Sequence, residues 1–262
     1  MIFYFSGTGN SKHVAQTLSG LIGDNEVINI ADFHDDIANK KDVKITVKND
    51  GFLGFVSPVH SWGLALTVKR FLERLRIQNP QSIKKIFSVF VCGDTCGKAM
   101  EMMNERLKKY NNIQLDFYCS VQMPNNYIVM KGFGTDPKEL EQQKLSKAEI
   151  EIPKIADAIL NGSEYKNYVI GPKPFLKGRI IYPLFMKFTL GDKKFFADNN
   201  CNGCGLCEKT CPEKNIKLEN NRPKWLGHCV KCLACIHRCP KTAIQYGDIT
   251  QTMGRYYFKS KK

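Results

Sequence analysis

The stretches Cys201-Asn202-Gly203-Cys204-Gly205-Leu206-Cys207-Glu208-Lys209-Thr210-Cys211-Pro212 and Cys229-Val230-Lys231-Cys232-Leu233-Ala234-Cys235-Ile236-His237-Arg238-Cys239-Pro240 are two copies of one pattern, 28 positions apart. Three cysteines spaced by two residues wrap one corner of an iron–sulfur cubane, and the fourth in each run ligates the other cluster. The spacing therefore predicts two [4Fe–4S] clusters. Cys201, Cys204, Cys207 and Cys239 hold one, and Cys229, Cys232, Cys235 and Cys211 hold its partner. Each Cys-Pro turns the chain away after the fourth ligand, and Ile216 and Ile244 recur at matching offsets as core plugs. Disulfides or structural zinc are the plainer alternatives. Zinc ribbons use two widely separated cysteine pairs and require neither the third cysteine nor the trailing proline. The reading is a redox protein.

These runs fill only the last quarter of 262 residues, so a larger unit precedes them. Met1–Phe5 reads directly as a strand, with no secretory segment expected ahead of it. The longest apolar run, 180–186, contains Pro183 and falls short of the ~20 residues that a bilayer crossing takes. Eleven cysteines, eight of them committed to iron, imply a reducing compartment, and the expected location is cytoplasmic. The formal charge is +14. Two clusters at about −2 each bring it near about +10. The remaining positive surface favours acidic redox proteins as partners. Nucleic acid is the obvious alternative, but the lysines are scattered and no recognition motif accompanies them.

In the first 165 residues, Ile2–Phe5 is a short β-prone run followed at once by Ser6-Gly7-Thr8-Gly9-Asn10-Ser11. A helical pattern follows, with Val14, Ala15, Leu18, Leu21 and Ile22 on one side. Strand, glycine-rich turn and helix N-terminus together make an anion site. A Walker A loop would add Gly-Lys-Ser/Thr, and a dinucleotide fingerprint would place glycine where Lys12 stands. The turn instead offers hydroxyls from Ser6, Thr8 and Ser11 and the amide of Asn10, a set suited to a terminal phosphate monoester. A plain helix N-cap after a tight turn is the bland alternative.

Here the chain resembles the flavodoxins, whose first loop follows Ser/Thr-x-Thr-Gly-x-Ser/Thr and binds the phosphate of flavin mononucleotide (FMN). Strands are expected at 27–30, 51–56, 86–91 and 115–121, and helices after 63, at 98–110 and at 139–160. Alternating strands and helices imply a doubly wound parallel sheet, and the flavodoxin resemblance implies the order 2-1-3-4-5. Ligands in such sheets sit at the carboxyl ends of the strands. Those ends carry Pro58, Val59, His60, Trp62 and Gly63, then Cys92, Gly93, Asp94, Thr95 and Gly97, and finally 122–127. Trp62 offers a flat face to an isoalloxazine, and Gly93, Asp94 and Gly97 can bring backbone close to its edge. His60 reads more readily as a surface histidine than as a flavin contact. His13, His34, His228 and His237 form no ligand spacing. Cys92, Cys96 and Cys119 read as small buried hydrophobes. A redox-active Cys92–Cys96 pair is the sharper alternative.

Residues 166–197 lose periodicity and gain prolines, cations and the apolar series Phe175, Ile180, Ile181, Tyr182, Leu184, Phe185 and Phe188. They read as a strap packing the two units together in preference to a membrane-surface segment. A ferredoxin-like α+β unit at 198–250, with an Asn220-Asn221 hairpin and Trp225 in its core, and a basic tail at 251–262 complete the division. As a whole the chain resembles the flavodoxin–ferredoxin fusion proteins of anaerobes, in the phosphate loop, Pro58-Val59-x-x-Trp62-Gly63-Leu64, Met123-Pro124-x-Asn126-Tyr127 and both cysteine runs. His60 stands where that family commonly has a phenol. The resemblance implies electron transfer between clusters and FMN, and assigns no catalytic residue. A flavin-dependent reductase of a quinone or flavin, and a redox sensor or assembly factor, are the competing functions.

Overall fold

Parallel strands covered on both faces are apolar along nearly their whole length. Ile2–Tyr4 (β1) is buried at every position, as are residues 53–57 of Gly51–His60 (β4) and 86–92 of Ile83–Cys92 (β7). In the computed structural model, which describes residues 1–23 and 26–259, these strands form a parallel sheet with Val27–Asn29 (β2) and Phe117–Gln122 (β8). The order β2-β1-β4-β7-β8 is 2-1-3-4-5 when only the members of this sheet are counted. One face is covered by Asn10–Ile22 (α1) and Lys138–Asn161 (α5), through Val14, Leu18, Ile152, Ile155 and Ile159. The other is covered by Leu66–Arg74 (α3) and Ala99–Asn111 (α4), through Val68, Phe71, Leu72, Met103 and Leu107.

Two features depart from expectation. Strand β4 runs on through residues 57–60, read above as loop, and pairs antiparallel with Gly63–Leu64 (β5). The turn between them puts both Ser61 and Trp62 at positive φ, 47° and 61°, the twist that suits a two-residue hairpin. A further parallel pair, Val43–Ile45 (β3) with Leu75–Ile77 (β6), is built from three-residue segments too short to leave a periodic signal.

The C-terminal unit pairs Phe195–Ala197 (β9) with Ile244–Tyr246 (β12), so it begins ahead of residue 198. Buried Asp192 already belongs to it, accepting from Asn215 Nδ2 at 2.9 Å and from the Gly227 amide at 2.8 Å. The hairpin Ile216–Glu219 (β10) and Arg222–Trp225 (β11) turns at Asn220 and Asn221, both at positive φ as expected. Trp225 stacks on Phe195, with ring centroids 6.0 Å apart. Ile216 and Ile244 are buried in one core, which also receives Ile128 and Val129 from the segment after β8. The two units thus share a hydrophobic cluster.

Residues 174–189 form one helix (α6) of alternating α and π turns, with Pro174 in its first turn and Pro183 inside it. Proline lacks the amide for the i−4 bond, which favours local widening of the ladder. The inward face packs on the flavodoxin-like unit. A Cβ on Gly178 would meet the Lys98 stem, and Tyr182 donates its hydroxyl to the Leu64 carbonyl at 2.8 Å. The strap is therefore a helix laid on the N-terminal unit.

The C-terminal unit docks through other residues. Glu213, buried, accepts from Thr67 and lies 3.5 Å from Arg70. His237 bonds the Asn126 carbonyl through Nε2 at 2.7 Å and accepts the Tyr256 amide on Nδ1 at 3.1 Å. Tyr256 then donates its hydroxyl to Asn10 Oδ1 at 2.7 Å, and the Phe258 amide donates to the Thr8 carbonyl at 2.7 Å. The tail, read from sequence only as basic, closes back onto the glycine-rich loop.

Candidate functional site

A cavity of about 630 Å³ opens at the carboxyl ends of β1, β4, β7 and β8. Its floor is the loop Ser6, Gly7, Thr8, Asn10 and Ser11, and its walls include Pro58, Val59, His60, Trp62, Cys92, Gly93, Asp94 and Thr95. The chain leaves protons on the loop ready to donate. Ser6 Oγ accepts the Gly9 amide at 3.0 Å and Thr8 Oγ1 accepts from Asn126 Nδ2 at 2.6 Å. Each hydroxyl then retains its own O–H for an anion. Asn10, expected to offer its amide, is committed elsewhere. Its Nδ2 donates to the Pro124 carbonyl at 3.1 Å and its Oδ1 accepts from Tyr256. It braces the loop.

Trp62 Nε1 donates to Thr95 Oγ1 at 3.1 Å, which fixes the indole at the rim, and Lys177 Nζ lies 4.6 Å from its ring centroid. His60 is half-buried in the wall, and burial pushes its pKa down to about 4, so it is neutral here. Tyr127 also lines the cavity, and its buried hydroxyl has no hydrogen-bond partner among the described residues. Protons left to donate on the loop and an orphaned phenol suit a phosphate-bearing polar ligand with a planar head.

The far wall comes from the second cysteine run: Lys231, Cys232 and Leu233. Gly7 meets it directly, because a Cβ there would overlap the Cys232 carbonyl oxygen. Lys231 is almost fully buried, holds positive φ, donates to the Tyr246 hydroxyl and lies over that ring at 4.2 Å.

The eight cysteines fall into two groups. A small cleft is lined by Cys201, Cys204, Cys207 and Cys239, which brings the fourth cysteine of the second run to the first three of the other. Burial pushes the Cys207 thiol up to about 11, with Cys201 and Cys239 adding to the rise. Cys229 is likewise pushed up to about 11 by burial, and Cys211 adds to it. Cys232 and Cys235 are raised further by burial, and both feel Cys229 and Cys211. Thiols crowded in this way resist ionising together unless cationic metal lies between them. Amide-to-sulfur bonds repeat at one offset in the two runs, Asn215 to Cys211 and Ala243 to Cys239, both at 3.3 Å. Such bonds tune cluster potentials.

A 4Fe-4S dicluster domain model matches residues 200–244. Together with the 2-1-3-4-5 sheet, that decides the architecture. The chain joins a flavodoxin-like doubly wound sheet to a 4Fe-4S dicluster domain. It is 31% identical over 68 residues to an uncharacterized protein of Methanocaldococcus jannaschii, an alignment spanning 26% of each chain, so it covers about a quarter of that relative. Among solved structures, its N-terminal part is similar to the Trp repressor binding protein of Bacillus subtilis (16% identity, 63% of this chain and 99% of that one, TM-score 0.38). It is also similar to flavodoxin 1 of Bacillus cereus (17%, 58% and 95%, TM-score 0.28). A third likeness is to an FMN-dependent NADH-azoreductase of Bacillus anthracis in complex with FMN (11%, 61% and 99%, TM-score 0.32). These likenesses are weak, and the strand order itself carries the fold.

Three glycines expected at the site stand elsewhere. Gly9, at φ 99°, caps α1 and packs under Phe258. Gly63 packs against Tyr182 and Met102, and Gly97 against Trp62. Neither these nor Cys96 line the cavity. Cys92 does, and a hydrogen bond to the Cys96 thiol and burial push its pKa well up, which suits an inert buried thiol. Sequence reasoning missed Met130, Phe133, Ile181, Leu184, Phe185, Phe188 and Lys231 in the walls. Only the apolar series in the strap carried any signal for them. No helix among the described residues is long and apolar enough to cross a membrane.

Proposed function

We propose that the protein is an electron carrier joining two [4Fe–4S] clusters to FMN. The observation that carries this reading is that Cys232, a ligand of one cluster, lines the same cavity as the Ser6–Ser11 loop. Cys229, Cys232, Cys235 and Cys211 would hold the cluster nearer this cavity. Cys201, Cys204, Cys207 and Cys239 hold an outer one, where Cys204 is exposed and Lys241 adjoins the cleft. An acidic redox protein would dock at this exposed end, where the cluster would exchange electrons with it. When bound, clusters exchange single electrons and a flavin exchanges one or two, so one-electron and two-electron partners are matched.

The chain's own residues set this up. Ser6, Thr8 and Ser11 donate to the flavin phosphate, helped by the α1 N-terminus. Trp62 flanks the ring, and Gly93, Asp94 and Asn125 border it. Tyr127 supplies the free hydroxyl. Lys231 brings a basic side chain to the cavity wall beside Cys232.

A second reading, a flavin-dependent reductase of a small acceptor, is favoured by the cavity size. It lies within the range of roughly 300–1,000 Å³ of small-molecule sites and has an apolar mouth formed by Met130, Phe133, Leu184 and Phe188. The test is rapid one-electron reduction of the fully loaded protein under anaerobic conditions. Flavin absorbance should follow cluster reoxidation with a first-order rate that does not change with protein concentration. A rate proportional to concentration sinks the internal relay.

A further inference from the structure

Helix α6 turns a row of bulky apolar side chains outward. Phe175 is 67% exposed, Ile180 48%, Leu184 50% and Phe188 69%, while Gly178, Tyr182 and Phe185 face in. The row continues onto the neighbouring segment, where Met130 and Phe133 are also exposed. Leu184, Phe188, Met130 and Phe133 line the cavity as well, so the exposed patch is its rim. Leaving this much contiguous apolar surface to water is costly for a soluble protein.

The segment's own charge has one sign, and the carboxylate that meets it is Glu105, 3.4 Å from Arg179. Residues 165–191 contain Lys166, Lys173, Lys177, Arg179 and Lys187 and not one Asp or Glu. Lys173, Arg179 and Lys187 are exposed beside the apolar row, as is Lys131 beside Met130. Lysine and arginine stems can lie along apolar surface while their heads stay in water. An outward apolar row and flanking cations, with no carboxylate in the segment itself, make up the physical profile of a helix lying in a lipid headgroup layer.

We propose that α6 and the Met130–Phe133 segment dock the protein on an anionic lipid surface and turn the mouth of the cavity toward the bilayer. Phe175, Ile180, Leu184 and Phe188 enter the headgroup–acyl boundary, and Lys131, Lys173 and Lys187 meet lipid phosphates. A lipid surface fits better than an acidic protein because bulky exposed apolar side chains and cations alternate along one helix at the cavity rim. The inference needs no assumption about the flavin or the clusters.

Flotation of the full-length, cluster-loaded protein with vesicles of equal parts phosphatidylcholine and phosphatidylglycerol tests it. The protein should float with these vesicles and stay behind with pure phosphatidylcholine, and high salt should release it. Phe175→Glu and Ile180→Glu, at positions outside the cavity, should each lower partitioning by about tenfold with unchanged near-ultraviolet dichroism. Failure to float with anionic vesicles overturns the proposal. So does equal flotation of both variants. If Phe175→Glu instead weakens binding to an acidic redox protein while vesicles have no effect, the face is a protein-docking surface and the lipid assignment is wrong.

Discussion

The Cys232 carbonyl oxygen occupies the space where Gly7 would carry a side chain, so backbone of the second cysteine run rests on backbone of the glycine-rich loop. No other residue type allows that approach at position 7. The glycine-rich loop and the second cysteine run are thereby held together across more than 220 residues of sequence.

Gly7→Ala should therefore force the units apart or strain the loop. Overpacking of this kind costs about 1–3 kcal/mol, and the intramolecular transfer rate should fall with it. Gly20, in the exposed part of α1, has nothing within 4 Å of an added Cβ and serves as the comparison. Gly20→Ala should stabilise by about 0.5–1 kcal/mol through helix propensity. Chemical denaturation of both variants, beside stopped-flow transfer, checks the contrast. A Gly7→Ala protein as stable and as fast as the parent would mean that the contact is slack.

Cross-ligation gives the second expectation. Reconstituted protein should hold about eight irons, and Cys239→Ala should lose about four while the cluster near Cys232 stays. Cys211→Ala should do the converse, and only this variant should slow the flavin step at its origin. Iron analysis with electron paramagnetic resonance of the reduced protein distinguishes the two. Full retention of iron by both variants would contradict the ligand sets.

Much of this site was legible in the sequence because its chemistry is local. The cysteine spacing needs no tertiary knowledge, and the grouping of Cys239 with Cys201 follows from the repeat. The glycine-rich loop announces itself by sitting between β1 and α1, and it does floor the cavity. What was illegible depends on packing at long range. Nothing in Tyr256 or Phe258 reveals that the tail returns to Thr8 and Asn10, some 246 residues away. Asn10 looked like a ligand donor because a free amide and one held by Pro124 read alike in sequence. Helix α6 was hidden by Pro174 and Pro183, which usually mark breaks and here sit in the first turn and beside π turns.

The phosphate loop carries a third expectation. Thr8→Ala removes a hydroxyl proton from the anion site and leaves Asn126 without its acceptor. FMN affinity should drop by about tenfold, the scale of one hydrogen bond to a charged group. Riboflavin, which has no phosphate, should lose much less. Fluorescence titration of both flavins measures the ratio. Equal losses would place the phosphate away from this loop.

His60 supplies the pH dependence. Its folded pKa of about 4 lies below the ordinary 6.5, because burial disfavours the charged ring. A histidine depressed in the folded state is a liability only on the acid side. Stability is complete above about pH 6.5 and declines as pH falls from there toward 4. His60→Gln should flatten that segment of the curve, and ring resonances in NMR should titrate near the lower value. A midpoint near 6.5 would put the ring in water.

The last expectation concerns the tail. Tyr256 sits where three parts meet: its amide donates to His237 of the C-terminal unit, and its hydroxyl to Asn10 of the phosphate loop. His237 is bonded in turn to the Asn126 carbonyl, so removing the tail leaves a buried imidazole nitrogen and a buried Asn10 oxygen unpaired. Unsatisfied buried groups of this kind cost about 1–3 kcal/mol each. Tyr256→Phe should remove only the Asn10 bond and loosen the loop, seen as weaker FMN binding with little change in cluster content. Truncation after Arg255 should also free the interface, slow cluster-to-flavin transfer and expose the connection to proteolysis. If the truncated protein transfers electrons at the parent rate and resists protease equally, then Glu213, Cys232 and the shared Ile128–Val129 core hold the two units without help, and the tail is a passive covering.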